Sequence, residues 1–271
     1  MKKILLQLLF LLFFTELTAA HTTVLVPRQT VTGRKVVKII HFHPCSASGL
    51  MGIRLDVEDT PELKGLKAIY MIHKGKLIDL RSAVVADFFT VGEDRRETYT
   101  LPLDRQSGFA GAGDYVIVVE HRPHWKKAGG FYRKKIAKLY LNHGGMISDW
   151  PRRLLAGAPE IIPLVAPYDF PRGALFRAVA VDDRGQPLPY ARIEIEFLNA
   201  RLADDRLLVG SNDRLDEALG SRVIFADLKG NFAFIPPRVG LWTLTLVDGD
   251  AARQFNRCKL VYDSSLSFTV R

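Results

Sequence analysis

The chain is poor in cysteine and methionine, and it has no histidine after residue 143. It contains two cysteines and four methionines in 271 residues, which is too few cysteines for a disulfide framework. It also lacks a Gly-x-Ser-x-Gly elbow and a Cys/His nucleophile pattern. The strand and helix repeats of a barrel hydrolase are missing as well. These absences argue against an enzyme.

No apolar run long enough to span a membrane follows residue 14. Before it, Lys2 and Lys3 precede the apolar run 4–14, and small residues follow at positions 18–20. This pattern is typical of a secretory signal peptide over residues 1–20. No cysteine lies near Ala20, so we expect no lipid anchor. We predict a mature periplasmic chain that begins at His21 and has no integral membrane segment.

The formal net charge of the whole chain is +9, and several basic residues cluster in its middle. Export excludes nucleic acid as a partner. The simplest interpretation of the cluster is a solvated face; the alternatives are contact with an anionic membrane surface or with an acidic face of another protein. The clustered residues are Lys126, Lys127, Arg133, Lys134, Lys135, Lys138, Arg152 and Arg153.

Short runs of β-branched and aromatic residues, separated by turn residues, predict an all-β fold. In the first part we expect strands at 22–26, 35–43, 52–57, 67–72, 96–103, 114–120 and 133–141. In the second part we expect them at 174–181, 191–198, 222–225, 232–235, 243–247 and 265–270. Only 211–219 and 150–155 favour helix. A proline-rich stretch, 159–171, predicts a boundary between two consecutive β-sandwich domains, residues 21–165 and 166–271.

The second domain resembles the transthyretin-like or carboxypeptidase-regulatory sandwich. The resemblance rests on the Gly185-Gln-Pro-Leu-Pro189 turn before the strand at 191–198, and on the Gly230-Asn-Phe232 turn before the next strand. Modules of this kind imply a scaffold or partner surface without catalysis.

All seven histidines fall between His21 and His143, so we expect the chemistry in the first domain. His41 and His43 are two apart on a predicted strand and share a face. Paired imidazoles suit Ni²⁺, Cu²⁺ or Zn²⁺. The competing interpretation of each histidine is an ordinary core or surface residue.

A second group follows the apolar strand that ends at Val119. Glu120, His121 and His124 lie where the chain leaves the sheet, and loops at strand ends commonly carry binding sites. The alternatives are a salt bridge of Glu120 with a neighbouring arginine and packing of His124 against Trp125.

Cleavage after Ala20 would expose an α-amine on His21, and amine and imidazole together can close a six-membered chelate ring around a metal ion. The alternative is a frayed terminus. Cys45 and Cys258 lie in a compartment where disulfides persist, but the sequence leaves their pairing open.

The ordered motifs of the mature chain resemble the family of domain of unknown function 4198, whose periplasmic nickel-binding members accompany nickel or cobalt transporters. The matching segments are His21 with Val24-Leu25-Val26-Pro27, Phe42-His43-Pro44, Gly113-Asp114-Tyr115-Val116, Glu160-Ile161-Ile162-Pro163, Gly230-Asn-Phe232 and Gly240-Leu-Trp242.

The resemblance implies a Ni²⁺- or Co²⁺-binding protein that delivers its ion to an uptake transporter of the inner or outer membrane, with His21 and His43 as ligands. Glu120 matches the family's acidic position, whereas His41, His121 and His124 are additional candidates. Cys45 stands where the family has a bulky apolar residue, so a thiolate ligand stays an alternative. Zn²⁺ and Cu²⁺ stay alternatives for the bound ion. The competing hypothesis is a structural or adhesive protein with incidental histidines.

Overall fold

The computed structural model describes residues 22–29, 35–42, 66–91, 94–127, 129–198, 200–203, 206–209, 221–247 and 253–271. Within them the regular structure is all β. The first strands are β1 (Thr22–Gln29), β2 (Lys35–Phe42), β3 (Leu66–His73), β4 (Lys76–Asp79), β5 (Val85–Val91), β6 (Asp94–Pro102), β7 (Gly113–His121), β8 (His124–Lys126) and β9 (Phe131–His143). The later ones are β10 (Glu160–Pro163), β11 (Phe176–Val181), β12 (Arg192–Leu198), β13 (Ala200–Ala203), β14 (Arg206–Val209), β15 (Ser221–Phe225), β16 (Asn231–Phe234), β17 (Gly240–Val247), β18 (Arg253–Phe255) and β19 (Cys258–Val270).

These strands form three sheets. The front sheet has the order β1-β2-β6-β5-β14-β13, and the short sheet has the order β10-β11-β16. The long sheet runs β15-β12-β17-β19-β9-β7-β3-β4, with β8 and β18 paired at its side. The all-β prediction is confirmed, and the layers are those of β-sandwiches.

The long sheet lies between the other two and buries both faces. On β7, Tyr115 and Ile117 point into a core shared with Leu101 of the front sheet. Val116 and Val118, one residue further each, point into a second core shared with the short sheet. Because successive side chains of a strand alternate between faces, a strand covered on both sides reads as a continuous apolar run.

The second core is rich in aromatic residues. Phe176 of β11 packs against Phe268 of β19 with ring centroids 4.5 Å apart, and Trp242 of β17 is 2% exposed. The proline-rich stretch is ordered here: Glu160–Pro163 is β10, and Phe170 forms a bridge with Val270. It therefore packs on the second half of the chain as part of the fold.

The long sheet crosses the predicted boundary at residue 165. β19 runs parallel to β9, with Leu260 opposite Tyr132. The predicted sandwiches thus share one sheet, and their division into two domains, like the transthyretin-like assignment, stays a prediction.

The structure differs from the sequence prediction in several segments. Strands β4, β5, β8, β10 and β18 were not predicted. Residues 150–155 are not helical, because the backbone N–H groups of Leu154 and Leu155 donate to the Glu160 carboxylate and not to carbonyls one turn earlier. Ala200–Ala203 and Arg206–Val209 pair as β13 and β14, and β14 joins the front sheet through β5. The strand predicted at 52–57 and the helix at 211–219 lie outside the described residues.

Candidate metal site

His41 is the one predicted ligand of the N-terminal hairpin, formed by β1 and β2, that lies within the described residues. β1 and β2 pair antiparallel, with Thr22 opposite Phe42 and Thr23 opposite His41. β1 also packs against β9 and β19 of the long sheet. β1 is therefore held by pairing with β2 and by packing on the long sheet. His21, His43 and Cys45 lie outside the described residues, so their roles stay predictions.

Glu120 lies near the end of β7 in a cluster of polar groups. Its Oε2 is 2.9 Å from Lys134 Nζ and 3.3 Å from Lys67 Nζ, and the Tyr70 hydroxyl donates to its Oε1 at 3.1 Å. The carboxylate thus forms the expected salt bridge, with lysines in place of an arginine. To ligate a metal ion, Glu120 would have to leave these contacts.

The electrostatics of this cluster follow from partial burial. Burial raises the pKa of the Glu120 carboxyl, but the hydrogen bond and charge of Lys134, with help from Lys67, outweigh it and leave the pKa below its usual value. Burial lowers the pKa of Lys134 despite the neighbouring Glu120 carboxylate. Burial, followed by the charge of Glu120, raises the pKa of Tyr70. The carboxylate is therefore charged at neutral pH.

The two histidines after Glu120 belong to the opposite face of the sheet. His121 is the next residue of β7 and is buried, and consecutive residues of a strand point to opposite faces. His124 of β8 pairs with Arg133 of β9, and directly paired residues share a face. The side chain of Arg133 is on that face, where it donates to Asp263 at 3.0 Å. The structure therefore separates Glu120 from both histidines.

The basic run of β9 is largely internal. Arg133, Lys134, Lys135 and Lys138 are all buried, so the interpretation of this run as a solvated face is wrong for these four. Lys138 is the deepest: its Nζ lies 2.5 Å from Glu160 Oε1 and 2.8 Å from the Ile161 carbonyl oxygen. Burial lowers the pKa of its ammonium group, opposed by the Glu160 carboxylate. This ion pair ties the long sheet to β10.

A second buried acidic group was missed by sequence reasoning. Asp114 accepts hydrogen bonds from the backbone N–H groups of Ser148 and Asp149 and from the side-chain amide of Asn142. Asp149 in turn accepts from the backbone N–H groups of Lys74 and Gly75. Both carboxylates are fully buried. Their hydrogen bonds connect the turn at Lys74-Gly75 and the segment Ser148-Asp149 to the start of β7. The Ser148-Asp149 pair after the Gly144-Gly145 turn was the signal that could have identified these contacts.

The two remaining described histidines, His73 and His143, contact aromatic rings. His73 stacks on Tyr115 with ring centroids 4.0 Å apart, and its Nδ1 lies 2.8 Å from the Asp114 carbonyl oxygen. His143 is exposed and meets Phe109 edge-on at 5.8 Å. Cys258, at the start of β19, is partly exposed. Because Cys45 lies outside the described residues, the pairing of Cys45 with Cys258 stays open.

Among the residues that the structure describes, no three His, Cys, Asp or Glu side chains are grouped so that they could hold a metal ion. His21 and His43 were not part of that comparison. Over the same residues, no helix has the length and apolar character needed to cross a membrane.

Comparison with known proteins identifies the family. The model of the family described as domain of unknown function DUF4198 matches residues 18–248, most of the chain. The chain belongs to the DUF4198 family. The match runs from the predicted cleavage site through β17, so it includes the N-terminal hairpin, the Glu120 cluster and the second core.

No curated protein matches this DUF4198 chain. Among solved structures, a Ca²⁺-stabilized, ice-binding adhesin of an Antarctic bacterium is 9% identical, with a TM-score of 0.23, over 93% of this chain and 50% of that one. The adhesin InvE of Yersinia pseudotuberculosis is 12% identical, with a TM-score of 0.24, over 91% of this chain and 58% of that one. The chain thus spans little more than half the length of these structures.

Proposed function

We propose that this protein is a periplasmic carrier that binds Ni²⁺, or Co²⁺, and delivers it to a metal uptake transporter in the membrane. It does so without catalysing a reaction. The observation that supports this proposal best is the register of the N-terminal hairpin, in which Thr22 lies opposite Phe42. His21 directly precedes Thr22 and His43 directly follows Phe42.

Adjacent Cα atoms are 3.8 Å apart, and the Cα atoms of paired antiparallel residues are about 4.5 to 5.5 Å apart. In this proposal, the two residues next to the Thr22–Phe42 pair supply two imidazoles. If residues 1–20 are removed, the α-amine of His21 adds a third nitrogen donor. Three nitrogen donors suit Ni²⁺ better than they suit Ca²⁺ or Mg²⁺, because those two ions prefer oxygen ligands.

The further candidates divide by their surroundings. His41 pairs with Thr23 in the same hairpin and is the nearest additional donor along the chain. His121 and His124 share their face with Arg133, which is paired with Asp263, and Glu120 lies on the opposite face. Glu120 would first have to leave Lys134 and Lys67. We therefore assign the nitrogens of His21 and His43 as the principal ligands. His41 is the nearest additional donor, and the secondary candidates are His121, His124 and Glu120.

Delivery to a transporter requires release, and this favours a site with few ligands near a chain terminus over a closed tetrahedral cage. The α-amine and the imidazoles must be unprotonated to bind metal. Release is then favoured by any local fall in pH, and the transporter supplies competing ligands.

The test is isothermal titration of Ni²⁺ into the exported protein, whose mass first establishes that it begins at His21. Two variants accompany it: one extra N-terminal glycine, which moves the amine away from the imidazole, and His43→Ala. His143→Ala is the matched control, because that exposed imidazole lies on β9. We expect 1:1 binding that the first two changes weaken at least tenfold and that the control leaves unchanged. Equal binding by all four proteins would refute the site and favour the structural or adhesive hypothesis.

A further inference from the structure

Three aromatic side chains form a row on the surface at one end of the long sheet. The ring centroids of Trp125 and Tyr132 are 5.0 Å apart, and those of Tyr132 and Phe255 are also 5.0 Å apart, both edge to face. Trp125 is 46% exposed and Phe255 is 37% exposed. We call these three residues the aromatic corner. Exposed aromatic residues in mutual contact are costly in water, which marks the corner as a candidate binding surface.

The topology of the sheet creates this corner. β9 and β19 run parallel, with Leu260 opposite Tyr132, so the turns that precede both strands project from the same end. One turn follows Lys126, whose carbonyl oxygen accepts from Gly129 and Gly130. The other is Asn256-Arg257, both residues with positive φ (49° and 64°), as in the tight turns of hairpins. Two turns therefore protrude side by side and flank the aromatic corner.

The two segments that form the corner carry charge of one sign. Residues 121–140 and 253–262 contain no Asp or Glu. Lys127, Arg257 and Lys259 are exposed on these two hairpins. By contrast, the basic residues that point inward from β9 already have acidic neighbours, as in the Lys134–Glu120 pair. The exposed surface thus combines aromatic rings with cations, and these two segments contribute no carboxylate to it.

We propose that the aromatic corner, with Lys127 and Arg257, docks this protein on an anionic phospholipid surface. Trp and Tyr rings partition into the interface between water and acyl chains, because they have an apolar body and a polar edge. Lys and Arg at the same level interact with lipid phosphates. Rings and cations together on the turns at one end of a sheet favour a lipid interface, and the vesicle experiment below distinguishes this from an acidic protein partner. Three rings anchor only shallowly, so docking is reversible.

The proposal is independent of metal binding and is tested without metal. The exported protein is sedimented with vesicles of phosphatidylcholine, with or without about one third phosphatidylglycerol. We expect binding to the anionic vesicles, little binding to the neutral ones, and a blue shift of tryptophan emission that is lost in Trp125→Phe. Trp242 and Trp150 are more buried than Trp125 and should not contribute to the shift.

Two variants and two matched controls make the test specific. Lys127→Glu with Arg257→Glu should weaken partition at least tenfold, since each cation contributes about fivefold at an anionic surface. Phe255→Ser should weaken it severalfold. The controls are Lys76→Glu, on the exposed β4, and Phe225→Ser, since Phe225 is 65% exposed on β15. Both controls should bind like the parent.

Because all the substituted side chains are exposed, the urea midpoint of each variant should stay close to that of the parent. Equal partition of the corner variants and the controls would overturn the proposal. Binding to polyglutamate in the absence of any binding to anionic vesicles would also overturn it and would point to an acidic protein partner.

Discussion

The buried ion pair between Lys138 and Glu160 should be one of the most sensitive positions in the fold. The side chains are 2% and 0% exposed, with Nζ and Oε1 2.5 Å apart. Glu160 Oε2 also accepts from the backbone N–H groups of Leu154 and Leu155, at 2.9 and 2.8 Å. Glu160→Gln keeps the shape and one acceptor for these amides, but it removes the charge that compensates the ammonium group.

Breaking a buried ion pair by removing one partner costs about 3–5 kcal/mol. We expect Glu160→Gln to lie near 3 kcal/mol, because the glutamine oxygen still accepts a hydrogen bond, and Lys138→Met to lie within the same range. The double variant should cost at least about 2 kcal/mol less than the sum, since neither charge is left alone. Lys67→Met is the control: Lys67 is 58% exposed in its pair with Glu120, and exposed pairs contribute about 1 kcal/mol or less.

The assay is urea unfolding followed by tryptophan fluorescence, which the buried Trp242 should make sensitive to loss of the second core. pH adds a second readout. In the folded protein the pKa of Lys138 lies below its ordinary value of 10.5, so the unfolded chain binds more protons between the two values, and stability rises with pH there. Glu160→Gln lowers the folded pKa further and should extend this rise towards neutral pH. Additive single costs, or a Glu160→Gln cost equal to that of the control, would refute the reasoning.

The remaining predictions test other parts of the molecule. The lowered pKa of Glu120 predicts stability that is lost as pH falls below the ordinary carboxyl value of 4.5, and Glu120→Gln should flatten that acid limb of urea midpoint against pH. The raised pKa of Tyr70 predicts stability that falls as pH rises through 10, which Tyr70→Phe should reduce; an unchanged alkaline limb would contradict it. Gly230→Ala should cost more than Gly130→Ala by about 1–3 kcal/mol in thermal unfolding. Both glycines have positive φ, but a Cβ at Gly230 would lie 2.5 Å from a carbonyl oxygen of β11, whereas the other site is open. Nickel affinity measured by titration should drop below about pH 6, because imidazoles with pKa near 6.5 protonate; a flat profile to pH 5 would argue against histidine ligands.

Local pattern was sufficient for most of the strands. The apolar run of β7 and the alternating pattern of β9 each extend over only a few consecutive residues. Periodicity and turn residues therefore predict these strands directly. The Gly185 and Gly230 turns have positive φ, a conformation that glycine adopts readily. The strands β4, β8, β10, β13, β14 and β18 were not predicted, because strands of three or four residues carry too little period to recognise. The seven-residue strand β5 was also not predicted.

The environment of the candidate site required the tertiary structure. From sequence, Glu120 and His121 are neighbours and read as one group; the strand places them on opposite faces and surrounds Glu120 with Lys134, Lys67 and Tyr70. Lys67 and Tyr70 are about fifty residues away along the chain, and no local signal names such partners. The basic run of β9 likewise reads as a charged surface until Asp263, Glu120 and Glu160 are brought to it.

The sequence by itself determined the all-β class, the positions of the main strands and the family, because backbone propensity, alternation and turn chemistry are local properties of the chain. Only the tertiary structure decided that β19 joins β9 in one sheet, that four basic residues of β9 are buried, and that the turns before β9 and β19 share one end. The pairing of β19 with β9 joins segments about 130 residues apart, as in the Arg133–Asp263 contact. The partners of Lys134 and Lys138 are 14 and 22 residues away along the chain. Such pairing is selected by the packing of whole sheets, which the pattern of a single strand does not encode.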